Sequence, residues 1–273
     1  MNKNNMNHTM IHRIVLAAAA LVLLCFQHVA GQTMRGDFNM DGSVNLTDVT
    51  TMISYMINEE LPFTGLDKDT VMVNGVSFVM VRVQGGTYSR ELYTCRTVGD
   101  FSIGQTEVTF ELWRAVMGEV PVIHPSDERC PISNLSWQDC QRFITKLNEL
   151  TGLQFRLPIQ DEWEYAATGG RLTRAYRYAG SDNLADVGWF VDNIGENVFG
   201  YPVGSKAPNE LGLYDMSGNA SEWCQDARYM TVEGYAALYG GSVYSSADDC
   251  RPTRFLTKAV SYSEWGTGLR LAL

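Results

Sequence analysis

Beyond Gly170 the sequence loses helical periodicity altogether, and that loss constrains the fold more than any motif. The final hundred or so residues are rich in Gly, Asn, Asp, Ser and Tyr, with only short strand-like runs such as RYAGS, YGGSVY and GLRLAL. A buried irregular backbone must have its N–H and C=O groups satisfied by side chains or ions. With 45% hydrophobic and 11% aromatic residues the chain can still build a core. The expected class is α+β, with few helices and many loops.

The elements that are legible lie upstream. VMVNGVSFVMVRVQGGTYSRE reads as strands around turns at Asn74-Gly75 and Gly85-Gly86. Three helices follow. The first has Thr109 as N-cap, Glu111 in its first turn and Gly118 as its stop. In the second, Ser136 and Asp139 form a capping pair, Gly152 terminates, and Cys140, Phe143, Ile144, Leu147 and Leu150 share one face. The third covers IQDEWEYAAT and ends at Gly169-Gly170. There Trp163 and Tyr165 read as packing residues, and an Arg156–Glu ion pair reads as scaffold.

At the N-terminus, Lys3, His8, His12 and Arg13 precede the apolar run Ile14–Phe26, and small residues follow in VAGQ. This reads as a signal peptide over 1–31, too short for a comfortable membrane span. The expectation is a secreted, periplasmic or cell-surface protein that is not an integral membrane protein. A lipidated Cys25 is the alternative, although Leu24 stands where a small residue belongs. Residues 37–48, DFNMDGSVNLTD, then place Asp37, Asn39, Asp41, Ser43, Asn45 and Asp48 at loop positions 1, 3, 5, 7, 9 and 12. Gly42 at position 6 permits the turn that lets six or more oxygens converge on calcium. Val49, Ile53, Met56 and Ile57 follow at helical spacing, so that 35–57 forms a small EF-hand-like loop and helix. The segment resembles a single type I dockerin repeat, which implies a possible cohesin-type partner; otherwise it is a calcium-stiffened spacer. Residues 58–69 read as a linker, and the main domain as 70–273.

Charge and residue counts narrow the chemistry. The formal net charge is −10, and the leader carries two of the bases and none of the acids. Nucleic acid is excluded as a partner on that balance. Three of the four histidines lie in the leader, so a catalytic triad or a histidine-rich metal site would rest on His124, which reads as a loop residue. Five cysteines follow the leader: Cys95, Cys130, Cys140, Cys224 and Cys250. Export favours pairing, yet their odd number leaves at least one unpaired within a single chain.

In order along 70–273 come VNGVSFVMVRVQGGTY, IGQTEVT, PISNLSWQDCQRFITKLNELTGLQFRLPIQDEWEYAATGG, PVGSKAPNELGLYDMSGNASEWCQD, YGGSV and GLRLAL. This succession resembles the formylglycine-generating enzyme, or sulfatase-modifying factor, family. The resemblance implies a C-type-lectin-like fold. It also implies a calcium-binding turn at YDMSGNASEWC, with Asn219 and Glu222 as ligands, although Ser221 stands where the family usually has an aromatic. Family enzymes convert a sulfatase cysteine to formylglycine with oxygen and a copper(I) ion held by two cysteines just after the GGS turn. Here the stretch is GGSVYSSADDCRPTRF, in which the resemblance puts Cys250 near the second cysteine and Ser245 where the first should be. A hard, neutral hydroxyl does not replace a thiolate on soft Cu(I). Copper is therefore not expected, and Cys224 and Cys250 are read as a structural disulfide or as buried thiols. The favoured reading is a non-catalytic ligand-binding or scaffold module for a peptide or glycan. Its face would be built on Tyr244, Ser246, Asp248, Arg254 and Trp265, and the surrounding segment supplies Asp249, Phe255, Tyr262 and Arg270. A formylglycine-generating oxidase using Cys250 is the alternative.

Overall fold

The computed structural model describes residues 68–91, 94–120, 127–195, 199–226 and 234–273. The expected leader, the calcium loop Asp37–Asp48 with its helix, residues 58–67 of the linker and His124 lie outside the described residues.

β1 (Lys68–Val73) and β2 (Val76–Val83) form an antiparallel hairpin, so the strand takes in the last two residues of the expected linker. Asn74 and Gly75 both have positive φ, 47° and 86°. Such a two-residue turn matches the twist of its strands, which is why Asn-Gly there is a hairpin signal. β5 (Phe101–Gly104) pairs with the other side of β2. The C-terminal run closes this region: Gly104 N–H donates to Leu271 O, and Ala272 exchanges backbone hydrogen bonds with Arg156. β3 (Gly86–Glu91) and β4 (Thr94–Val98) make a separate hairpin. A further sheet has the order β8-β7-β6-β9, formed by β6 (Ser221–Trp223), β7 (Tyr235–Tyr239), β8 (Phe255–Ala259) and β9 (Thr267–Gly268). Only β9 in that sheet runs parallel to its neighbour.

The helices start and stop where their capping residues dictate. In α1 (Phe110–Met117), Thr109 accepts from the Leu112 N–H and Gly118 ends the helix at φ 86°. In α2 (Trp137–Thr151), Ser136 and Asp139 cap each other's backbone reciprocally, and Gly152 at φ 72° ends the helix. Ser136→Ala is expected to lower stability by about 1 kcal/mol, read as a lower urea midpoint; an unchanged midpoint would mean that water replaces the cap without loss. Cys140, Phe143, Ile144 and Leu147 are buried as expected, but Leu150 is 47% exposed, because the last turn of α2 extends past the core. α1 and α2 bury their apolar stripes with Val73 and Met80 of the β1–β2 hairpin, and Trp113 stacks on Phe143 at 4.9 Å.

α3 (Gln160–Ala167) is buried along its whole length and ends before a short 3-10 turn at Gly170–Leu172. Trp163 and Tyr165 pack as expected. Arg156 forms a two-pronged pair with Glu162 at 2.6 and 2.7 Å, and Glu162 also accepts the Ile159 N–H. A short helix, α4 (Leu184–Val187), follows.

The irregular region is held by side chains, as its composition requires. Asn209 accepts from the N–H groups of Leu211 and Leu213 and donates to the carbonyls of Ala166 and Ala167. Gly218 adopts φ 90° where a Cβ would lie 2.2 Å from the Trp189 carbonyl oxygen. No helix among the described residues is long and apolar enough to cross a membrane.

Candidate functional site

β7 runs out of the sheet into Gly240 and Gly241, both at positive φ, and the chain then folds into a tight serine-rich turn. A Cβ on Gly241 would lie 2.7 Å from the Cys250 sulfur, so a residue without a side chain is required for this approach. Ser245 closes the turn. Its Oγ accepts the Ser242 N–H at 2.9 Å, its N–H donates to the Ser242 carbonyl, and its own carbonyl accepts the Val191 N–H. The hydroxyl of Ser245 is thereby a turn-forming group.

Cys250 lies on the inner side of the same loop, fully buried with Tyr178, Leu184, Val187 and Phe190. Burial, reinforced by the adjacent Asp249 carboxylate, pushes its thiol up to about 12. All five described cysteines are free; Cys95 is exposed and the other four are buried. The expectation of disulfide pairing is thus corrected, and of the two fates foreseen for Cys224 and Cys250 the structure takes buried thiols. Physically, they belong to different surroundings: Cys224 leaves β6, with its backbone bonded to Ala237 and its carbonyl to Trp137, whereas Cys250 joins the Tyr178 cluster.

Outside the turn is a cavity of about 180 Å³. Ser221, Gly241, Ser245 and Asp249 line one part of it, and Arg254, Leu238, Phe255 and Leu256 the rest. Next to it, Asp248 holds Arg251 at 2.6 Å and Arg254 at 3.1 Å, with Arg177 at 3.9 Å. Ser246 donates to Asp249 at 2.6 Å. Tyr244 and Trp265 are 43% and 37% exposed. A Cβ on Gly266 would lie 3.1 Å from the Tyr244 ring, which places the Trp265-Gly266 segment beside Tyr244. Tyr244, Ser246, Asp248, Arg254 and Trp265 therefore sit on or beside this loop with the aromatic pair outward. Arg177 and Ser221 join from distant segments; no local signal points to either. Arg251 was missed by the sequence reading, although its place three residues from Arg254 and from Asp248 was a local signal that could have found it.

Arg270, Asn219 and Glu222 are all buried. Arg270 is wholly buried and belongs to no ligand face. Its guanidinium donates to both oxygens of Glu222 at 2.7 to 3.0 Å, to Gly104 O and to Tyr214 O. Trp163 Nε1 also donates to Glu222. Asn219 shares its amide between Glu107 and the backbone of Tyr201. A calcium ion at Glu222 would have to compete with a guanidinium for both oxygens, and at Asn219 Oδ1 with the Tyr201 N–H. Two further carboxylates join the cluster. Glu107 is raised well above the usual carboxylate range by burial first and then by the charges of Asp215 and Glu222. Burial raises Asp215 to about 6, and its Oδ1 has no partner among the described residues.

The model of the sulfatase-modifying factor enzyme 1-like domain matches residues 65–273. The chain belongs to this family. A sulfatase-modifying factor domain explains the helix-poor architecture and the side-chain-pinned second half. Among its relatives is the chaperone protein LppX of Paenibacillus barcinonensis, 32% identical over 201 residues, covering 55% of this chain and 71% of that protein. The formylglycine-generating enzyme of Streptomyces coelicolor is 35% identical over 108 residues, 35% of this chain and 32% of that enzyme, so the aligned part spans about a third of the enzyme's length. Among solved structures, Treponema denticola variable protein 1 superposes with TM-score 0.66 at 26% identity, over 75% of this chain and 98% of that one. CarF gives TM-score 0.60 at 26% identity, over 71% and 97%. The expected fold family is thereby established.

Proposed function

We propose that this sulfatase-modifying factor domain is a non-catalytic ligand-binding module whose ligand is a peptide or a glycan. The observation that carries the reading is the fate of the two positions that would hold copper. Ser245 offers a neutral oxygen already used to close its turn, and Cys250 is a buried thiol held in its protonated form far above neutral pH. Soft Cu(I) calls for a pair of thiolates, and this donor set does not fit it. The exposed Tyr244 and Trp265 beside arginines and short polar side chains are the residue types that anchor binding surfaces. The name of the chaperone relative is in keeping with a role that needs a surface and no oxidation chemistry.

In this reading the protein is exported, and the loop Asp37–Asp48 binds calcium as a spacer or as a docking point for a cohesin-type partner. Titration of the reduced full chain with Cu(I) against a competing chelator is expected to show no tight stoichiometric site. Tight one-to-one binding abolished by Cys250→Ala would restore the oxidase reading. A peptide and glycan array should give signals that fall at least about tenfold in Tyr244→Ala, as for an interface anchor.

A further inference from the structure

Three guanidiniums meet at one carboxylate beside the cavity. Asp248 is within 4 Å of Arg177, Arg251 and Arg254, and the three arginine side chains are 52%, 33% and 59% exposed. The neighbouring carboxylates do not balance them: Asp249 is turned onto the Ser246 hydroxyl, and Asp182 accepts the backbone N–H of Arg177. Each guanidinium carries five N–H donors in a planar fork suited to two-pronged binding of an oxyanion. One carboxylate cannot occupy three such forks. Arg251 Nε is buried without an acceptor among the described residues, an unspent donor of the kind that calls for an explanation.

We infer that Arg177, Arg251 and Arg254 form a carboxylate-recognition site for an acidic peptide segment, with the cavity beside it taking a neighbouring apolar side chain. The inference rests on the reading of the domain as a ligand-binding module and names the class of ligand. Size and lining fit: the cavity of about 180 Å³ suits a single side chain, and Leu238, Phe255 and Leu256 give it apolar walls. Charge selects the peptide over a polyanion. The chain has a formal net charge of −10, so an extended sulfated or uronate polymer reaching past this cluster meets a surface of its own sign. A peptide with one carboxylate among apolar residues brings its charge only to the arginines.

The test selects a randomised library of end-capped hexapeptides on the immobilised full chain, alongside an oligosaccharide containing glucuronate. The result expected is enrichment of hexapeptides with one Glu or Asp next to an apolar residue. Their affinity should drop at least about tenfold when the acid becomes its amide, in line with the strength of charge-assisted hydrogen bonds. Arg251→Gln combined with Arg254→Gln should erase the preference, and Lys at both positions should recover it only in part. Circular dichroism checks that these variants are folded. Enrichment of uncharged peptides that depends on Tyr244 but not on the arginines overturns this inference and leaves the binding module standing. Arginine-dependent capture of the oligosaccharide without peptide enrichment overturns the peptide assignment. No enrichment on either arm, with a blank array, overturns both readings.

Discussion

Replacing Arg270 with methionine is expected to destabilise the domain by about 3–5 kcal/mol, the cost of stranding a buried charge. Arg270 is fully buried and is paired to both oxygens of Glu222, itself fully buried. The remaining donors hold Gly104 at the end of β5 and Tyr214 in the irregular region, so one side chain ties the C-terminal run to three distant parts of the chain. Methionine fills most of the volume, and the loss therefore reads the electrostatics rather than a cavity. Glu107, Asp215 and Glu222 would share the site with no compensating cation from Arg270. Arg270→Lys keeps the charge but loses the fork, and is expected to fall between wild type and methionine. Urea unfolding at neutral pH measures all three. A methionine variant within about 1 kcal/mol of wild type would sink the argument, because an unpaired buried carboxylate cannot be that cheap.

The second large effect is a gain in stability on acidification, the reverse of the usual behaviour of paired carboxylates. The sign follows from linkage. Asp215 has its folded pKa raised from 3.8 to about 6, so between those values the folded protein holds a proton that the unfolded chain has released. The stability contribution is complete below the unfolded value and is lost as pH rises through the folded one. At about 1.4 kcal/mol per pH unit, the window is worth about 3 kcal/mol at most. Glu107 is shifted in the same direction by burial and by its acidic neighbours, and adds to the trend. Asp215→Asn removes the charge while keeping an acceptor for the Gly204 N–H, and asparagine tolerates the positive φ of 58° at this position. The variant is expected to unfold at higher urea than wild type at pH 7 and to show a flattened dependence between pH 4 and 6. A difference between wild type and variant that stays constant between pH 4 and 6 would show that folding does not shift the protonation of Asp215.

Much of the first half was legible because its signals are local. Thr109, Ser136 with Asp139, Gly118 and Gly152 act within one turn of themselves, so their positions in the sequence are their positions in the helices. Asn74-Gly75 works the same way. The face of α2 was legible through Leu147 and failed at Leu150, since periodicity records which side a residue points to and not how far the core extends. The candidate site was readable in part. The loop that carries Tyr244, Ser246, Asp248 and Arg254 is continuous in sequence, but Arg177 and Ser221 reach it only through the folded chain.

The sequence by itself determined the family, the α+β class and the boundaries of α1 and α2, while the short α4 beyond Gly170 carried no periodic signal. These depend on residue identity and on spacing within a few positions. Tertiary structure alone decided that the cysteines stay free, that Arg270 and Glu222 pair in the core and away from any ligand face, and that three arginines converge on Asp248. Each of those outcomes turns on which distant segments meet and on how much water is excluded between them. The pull between charges and the cost of burying them are set by those distances and that exclusion, which no local pattern records.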